Sequence, residues 1–197
     1  MIPTLDSILQ ELQQTSLIEY LAFIALILYV YYATKQHAIA WLLSLVGLVL
    51  FVVINYRASL YGEIPLQGVY LLMSLYGWYQ WRYGGKNQTN LPVSLTSLNL
   101  WVMLIIIGVL GTILLGHVLS TYTAMAIPYW DASTTAFSLV GTWMLARKKL
   151  ENWVVWLIVD SAYTWIYLEK GLFLVTLLYF LYVVFSVVGL FRWYRTM

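Results

Sequence analysis

Seven long apolar stretches, separated by short polar or glycine-bearing joints, dominate the chain: Leu17–Thr34, Ile39–Tyr56, Pro65–Arg82, Leu98–Leu119, Trp130–Ala146, Trp153–Leu168 and Leu172–Trp193. A helix needs about 20 mostly apolar residues to cross the hydrocarbon core, and each stretch meets or approaches that length. The runs are continuous, whereas strands of a membrane barrel alternate in segments of about ten residues. Joints such as Gly84-Gly85-Lys86-Asn87 and Arg147-Lys148-Lys149 punctuate them. The pattern predicts an all-α integral membrane protein with seven transmembrane helices. Ahead of the first span, Ile2, Leu5, Ile8, Leu9 and Leu12 fall on one helical face, with Thr4 a suitable N-cap. Residues 1–16 therefore read as a short helix on the membrane surface, with a disordered leader as the bland alternative. Asp6, Glu11 and Glu19, with no Lys or Arg among them, argue against a cleavable signal.

Composition removes the soluble alternatives. Hydrophobic residues fill 62% of the 197 positions and charged residues only 9%, against about 25% charged in an ordinary soluble domain. Trp41, Trp81, Trp101, Trp130, Trp153 and Trp193 lie at the ends of apolar runs, where indoles anchor at the headgroup level. Without cysteine there is no disulfide, thiolate metal site or cysteine nucleophile. A net charge of +2 with no long basic cluster gives no reason to expect a nucleic-acid partner.

Charge fixes an expected orientation. Arg57 and Lys170 fall on the side that holds the N-terminus. Lys35, Arg82, Lys86, Arg147, Lys148, Lys149, Arg192 and Arg195 fall on the other. The positive-inside rule then places the N-terminus outside and the C-terminus in the cytoplasm.

A shift of 112 positions lays Trp41 on Trp153, Tyr70 on Tyr182, Ser74 on Ser186, Gly77 on Gly189 and Trp81 on Trp193. Glu19 then pairs with Asp131, and Lys35 with Arg147, without a gap. Residues 17–82 and 130–193 read as two copies of a triple-helix unit, joined by a linker helix at 98–119. Three helices plus one linker make an even number of crossings, so the second copy enters the membrane in the same direction as the first and the copies are parallel, with a substrate path between them. Gly108, Thr112 and Gly116 give the linker a small-residue face for close packing in lipid.

Asp160 is the only formally charged residue well inside any of the seven stretches, and such residues are costly enough to mark function. On the sixth stretch Asn152, Trp153, Trp156, Asp160, Tyr163 and Tyr167 share one broad helical face. Their counterparts in the first copy are Ala40, Trp41, Ser44, Leu48, Phe51 and Asn55, so Trp156 and Asp160 mark where the copies diverge. For Asp160 the bland reading is a helix-to-helix hydrogen bond, and for Trp153 interfacial anchoring. Asp131, Thr135, Ser138 and Thr142 form a polar stripe on the fifth stretch, suited to a wetted cavity or to hydroxyls bonding back to their own helix. Tyr70 and Tyr182 read either as core packing or as cage walls, and Gln67, Ser74, Gln80, Tyr179 and Ser186 are further polar candidates. Aromatic faces around one carboxylate suit a flat, cationic, hydroxyl-bearing organic ligand.

Tyr76-Gly77-Trp78-Tyr79-Gln80-Trp81, Glu151-Asn152-Trp153-Val154-Val155-Trp156 with Asp160, and the run from Tyr182 through Gly189 to Trp193 resemble the Pnu family of bacterial vitamin transporters. The resemblance covers nearly the whole chain beyond its first fifteen or so residues. It implies a three-plus-one-plus-three architecture akin to the SWEET sugar transporters, facilitated diffusion with the vitamin trapped by phosphorylation, and a homo-oligomer, specifically a homotrimer. The family's best-known members take up nicotinamide riboside, and relatives carry thiamine or riboflavin. Its tryptophan motif carries over to Trp153, Trp156 and Asp160. Asn152, Tyr163, Tyr70, Gln80, Tyr182, Ser138 and Thr135 join the expected substrate-binding set from the helical faces. The expectation is a bacterial inner-membrane facilitator for nicotinamide riboside, with no cofactor and no metal, and with thiamine or riboflavin as the alternative cargo. An embedded enzyme would need a nucleophile with a base, paired acids or a metal site, and the sequence offers none. A structural membrane subunit would explain the helices but leave the divergence at Trp156 and Asp160 without a reason.

Overall fold

The computed structural model describes residues 5–57, 64–123 and 127–197; Ile2 and the expected N-cap Thr4 lie outside them. Among the described residues are eight α-helices: α1 (Leu5–Gln14), α2 (Leu17–Thr34), α3 (Ile39–Arg57), α4 (Ile64–Tyr83), α5 (Leu98–Tyr122), α6 (Pro128–Ala146), α7 (Asn152–Glu169) and α8 (Phe173–Tyr194). The seven predicted spans coincide with α2 to α8 to within three residues at every end. By length and composition alone, α2, α3, α5 and α8 are apolar enough to cross a membrane. The other three carry most of the polar candidates.

The bundle is arranged as lipid, not water, would have it. Ser44, Ser74, Thr134, Ser138, Thr142, Asn152, Asp160 and Ser186 are buried, while Ile105, Ile106, Leu110, Ile113 and Leu114 of α5 are exposed. Lipid tails are as apolar as leucine, so burying leucine gains nothing there; small and polar residues that pack or hydrogen-bond hold the helices together. The protein is thus a multi-pass membrane protein. The small face of α5 meets α6: a Cβ on Gly108 would lie 2.7 Å from Phe137, and one on Gly116 2.3 Å from Tyr129.

Helix contacts recur at the spacing read from the sequence. α2 packs on α3 as α6 does on α7, α3 on α4 as α7 on α8, and α2 on α8 as α6 on α4. The turns after α2 and α6 both close through a left-handed, non-glycine residue, Gln36 (φ 57°) and Lys148 (φ 47°), related by the same 112 positions. The Lys148 ammonium donates to Oε1 of Gln36 at 3.3 Å, so the two turns meet each other.

At the opposite end, α1 is pinned by a carboxylate. Glu11 accepts the backbone N–H groups of Phe173 (2.8 Å) and Leu174 (3.0 Å), two donors that the first turn of α8 leaves unpaired. The Tyr20 hydroxyl donates to the Leu12 carbonyl at 2.7 Å. Glu19 is spent on a capping box with Ser16 that starts α2.

Candidate functional site

Four tryptophans form a chain of rings across the bundle. Trp41 and Trp81 meet edge to face with centroids 5.5 Å apart, Trp81 and Trp193 at 5.8 Å, and Trp193 and Trp153 at 5.3 Å. The contacts are reciprocal: Trp81 Nε1 donates to the Leu145 carbonyl (3.1 Å), and Trp193 Nε1 to the Ala33 carbonyl (3.2 Å). Glycine makes the approach possible. A Cβ at Gly77 would sit 2.4 Å from the Trp41 ring, and one at Gly189 2.5 Å from Trp153. This corrects the sequence expectation that Trp41, Trp81, Trp153 and Trp193 anchor at the headgroups. All four are at most 2% exposed, because a glycine one helix away leaves a slot for each of the outer two, and a carbonyl takes each inner N–H. Trp130, by contrast, is exposed.

Against this ring chain lies a cavity of about 50 Å³ lined by Tyr29, Val30, Ala33, Leu145, Trp153, Trp156, Asp160, Tyr182 and Ser186. It is bounded by α2, α6, α7 and α8. Asp160 is 2% exposed, and its Oδ1 has no hydrogen-bond partner among the described residues; neither do the buried indole N–H groups of Trp153 and Trp156. Three buried polar atoms of complementary kind, one acceptor and two donors, therefore belong to residues lining one space. Leaving such groups unpaired costs about 1–3 kcal/mol each, and a polar ligand would offset that. Small-molecule pockets measure about 300–1,000 Å³, so the space seen here is smaller than an organic ligand needs.

A second cluster adjoins the carboxylate. The Tyr163 hydroxyl interacts with Thr134, Thr135 and Ser138, and that of Tyr70 with Ser138. Tyr29 stands near both Tyr70 and Asp160, and Tyr182 near Asp160 and Tyr29. Behind them Tyr163, Tyr179 and Tyr167 stack, with centroids 4.7 and 5.4 Å apart along the series. On the α6 stripe Thr142 bonds back to the Ser138 carbonyl at 2.8 Å, while the Ser138 side chain meets the two tyrosines.

The structure thus brings together Trp153, Trp156, Asp160 and Tyr182 at the cavity, with Tyr70, Tyr163, Ser138 and Thr135 beside it. Gln80 and Asn152 do not line it. The Gln80 Oε1 accepts from Arg147 at 3.3 Å, close to the α6–α7 turn. Asn152 is buried at the start of α7, where its Nδ2 donates to the Lys149 carbonyl at 2.6 Å. Tyr29 is the wall residue that the sequence reading missed. The 112-position register held the signal, since it sets Tyr29 against a glycine, Gly141. Among the described residues no three of His, Asp and Glu come together as metal ligands.

The turn linking α6 and α7 buries one of its basic residues. Lys148 is 4% exposed, with its ammonium 4.9 Å from the centre of the Trp81 ring, and burial pushes its amine down to about 8. Lys149 donates to Ser94 Oγ (3.0 Å), and the Glu151 carboxylate accepts from the backbone N–H and hydroxyl of Thr96, which ties the segment before α5 to this turn.

Comparison with known proteins gives this arrangement a family. The chain is 24% identical over 203 residues to the nicotinamide riboside transporter PnuC of Escherichia coli (strain K12), covering 90% of this chain and 85% of that protein. It is 31% identical over 121 residues to the riboflavin/roseoflavin transporter RibM of Streptomyces davaonensis, covering 58% of this chain and 54% of that one. The fold matches the crystal structure of the vitamin B3 transporter PnuC with a TM-score of 0.76 at 22% identity, over 96% of this chain and 86% of the other. The sequence profile described as nicotinamide mononucleotide transporter matches residues 16–195, and the chain belongs to that family.

Proposed function

We propose that the protein carries nicotinamide riboside across the bacterial inner membrane down its concentration gradient, and that phosphorylation inside the cell then traps it. The observation that carries this reading is the unpaired Oδ1 of Asp160 at a cavity walled by Tyr29, Trp153, Trp156 and Tyr182. A pyridinium ring between aromatic faces gains stacking and cation–π attraction. The buried carboxylate offsets its charge or accepts ribose hydroxyls, and the two indole N–H groups donate to the sugar oxygens. The PnuC and RibM relatives support a vitamin as cargo. RibM's higher identity over a shorter stretch favours riboflavin as the second reading; its neutral ring makes less use of Asp160.

The route runs between two parallel triple-helix units, residues 17–82 and 130–193, held by the linker at 98–119 in a three-plus-one-plus-three, SWEET-like plan. The recurrence of helix contacts at 112 positions supports this plan. The N-terminus lies outside and the C-terminus in the cytoplasm, on the strength of the eight-to-two division of basic residues, and the chain works as a homotrimer. Passage to the cytoplasm breaks the two reciprocal bonds, Trp81 to Leu145 and Trp193 to Ala33, that join the units beneath the cavity. No ion need be coupled, so transport into liposomes stops at equal concentrations.

Calorimetric titration of the purified protein with nicotinamide riboside, thiamine and riboflavin tests the reading. Asp160→Asn removes the charge and keeps the shape. A hydrogen bond to a charged group contributes about 1.5–3 kcal/mol, so affinity for nicotinamide riboside falls about tenfold to a hundredfold. Leu48→Asn, at the equivalent position of the first copy, changes it far less. Unchanged binding by a monodisperse Asp160→Asn protein would make Asp160 structural and place the site elsewhere.

A further inference from the structure

The two copies differ by an exchange of bulk. In the first, α2 contributes the large ring of Tyr29 and α3 the small Ser44, which is buried and shares a 2.9 Å hydrogen bond with Ser74. At the equivalent positions of the second, α6 contributes Gly141 and α7 the large ring of Trp156. The exchange is reciprocal: where one copy is bulky the other is bare. It sets Tyr29 and Trp156 on the walls of the same cavity, whereas strict symmetry would give each half a tyrosine facing a serine.

Gly141 is what makes this possible. It lies inside α6 with helical backbone, at no turn, hinge or left-handed position, and glycine is among the poorest helix formers. A Cβ at residue 141 would lie 3.2 Å from Trp156 Cε2, 3.3 Å from its Nε1 and 3.3 Å from Val155 Cγ1. The indole of Trp156 therefore rests on the bare backbone of α6. Dispersion contact falls off within about 0.5–1 Å of its optimum, so the seat that Gly141 offers sets how much room a flat ligand finds between Trp156 and the opposite wall. We infer that Gly141 is a positioning residue for the substrate: it acts through Trp156, fixing the indole's depth and thereby the thickness and tilt of the aromatic ring that the cavity admits. This inference rests on the reading of the cavity as the substrate site.

The test is a double-mutant cycle on purified protein, with nicotinamide riboside as probe and affinity read by calorimetry. Gly141→Ala pushes Trp156 toward the cavity by a few tenths of an ångström, and affinity falls about threefold to tenfold, since a partial loss of contact is at stake rather than all of it. In a Trp156→Ala chain the same Gly141→Ala change costs nothing further, because the group it displaces is gone. Gly141→Ala also shifts the indole N–H resonance of Trp156 in the ligand-free protein, a peak assigned by its loss in Trp156→Phe. If Trp156→Ala weakens binding but Gly141→Ala leaves affinity unchanged, or weakens it equally with and without Trp156, the positioning role is overturned while the site stands. If Trp156→Ala itself binds like the parent, the site reading fails and takes this role with it. Should Gly141→Ala alone not fold, adding Trp156→Phe relieves the overlap and restores a monodisperse protein; a pair that also fails to fold overturns the inference.

Discussion

A methyl group at residue 77 has nowhere to go. The Cβ that Gly77→Ala introduces would sit 2.4 Å from Cε2 and Cζ2 of Trp41 and 2.6 Å from Cη2, where carbon–carbon contacts settle at about 3.5–4.0 Å. Relief requires the indole to retreat by about 1 Å, yet Trp41 is fully buried and presses edge to face on Trp81 at 5.5 Å. Overpacking of this kind costs about 1–3 kcal/mol, partly offset by up to about 1 kcal/mol from replacing glycine inside a helix. Gly68 lies in the same helix α4 with nothing within 4 Å of its added Cβ, so Gly68→Ala shows the helix-propensity gain alone. Gly189→Ala repeats the insult against Trp153 at 2.5 Å. For a chain of this size about 2–4 °C of thermal midpoint follows each kcal/mol. Thermal unfolding of the purified protein, followed by fluorescence, should show Gly77→Ala and Gly189→Ala lowered by several degrees and by similar amounts, with Gly68→Ala equal to or above the parent. Equal midpoints for Gly77→Ala and Gly68→Ala would refute the steric account of the tryptophan slot. A large loss in only one of Gly77→Ala and Gly189→Ala would refute the equivalence of the two slots.

Two other perturbations probe the ends of the bundle. Lys148 has its amine pushed down to about 8 by burial, while an unfolded lysine titrates at about 10.4. Between those values the unfolded state holds the proton and the folded state does not, so stability rises with pH across that window. The parent's thermal midpoint should therefore gain on that of Lys148→Met from about pH 7 to about pH 10, and a constant difference would dismiss the buried-amine description. Glu11→Gln keeps one acceptor for the first turn of α8 and removes the charge that favours a helix N-terminus. The amides of Phe173 and Leu174 should then exchange with deuterium about tenfold faster, a change of about 1.4 kcal/mol, and unaltered exchange would show that α1 is held by other contacts.

The spans were legible because the chain must satisfy a simple demand: an apolar run long enough to cross lipid, with its backbone bonded inside the helix. That demand is local, so Leu17–Thr34 could be read without knowing any neighbour. Particular residues 112 positions apart keep matching surroundings: Gln36 and Lys148 are both left-handed, and Trp41 packs over Gly77 as Trp153 does over Gly189. What no local rule reveals is which side of a membrane helix faces protein and which faces lipid, because both surroundings are apolar and hydropathy weighs them alike. Trp41 and Trp153 therefore read as headgroup anchors although each fills an interior slot, and Lys148 read only as one basic residue of a joint although its ammonium lies over the Trp81 ring. Asp160 was conspicuous as a lone charge, but its surroundings come from four helices, and only packing could bring Tyr29 from α2 beside it. Gln80 looked equally polar in sequence and was drawn to Arg147 instead. A helical face is fixed by the spacing of residues along one helix, whereas a cavity is fixed by how close the backbones of several helices come. In this bundle the closest approaches are where glycine meets an aromatic ring.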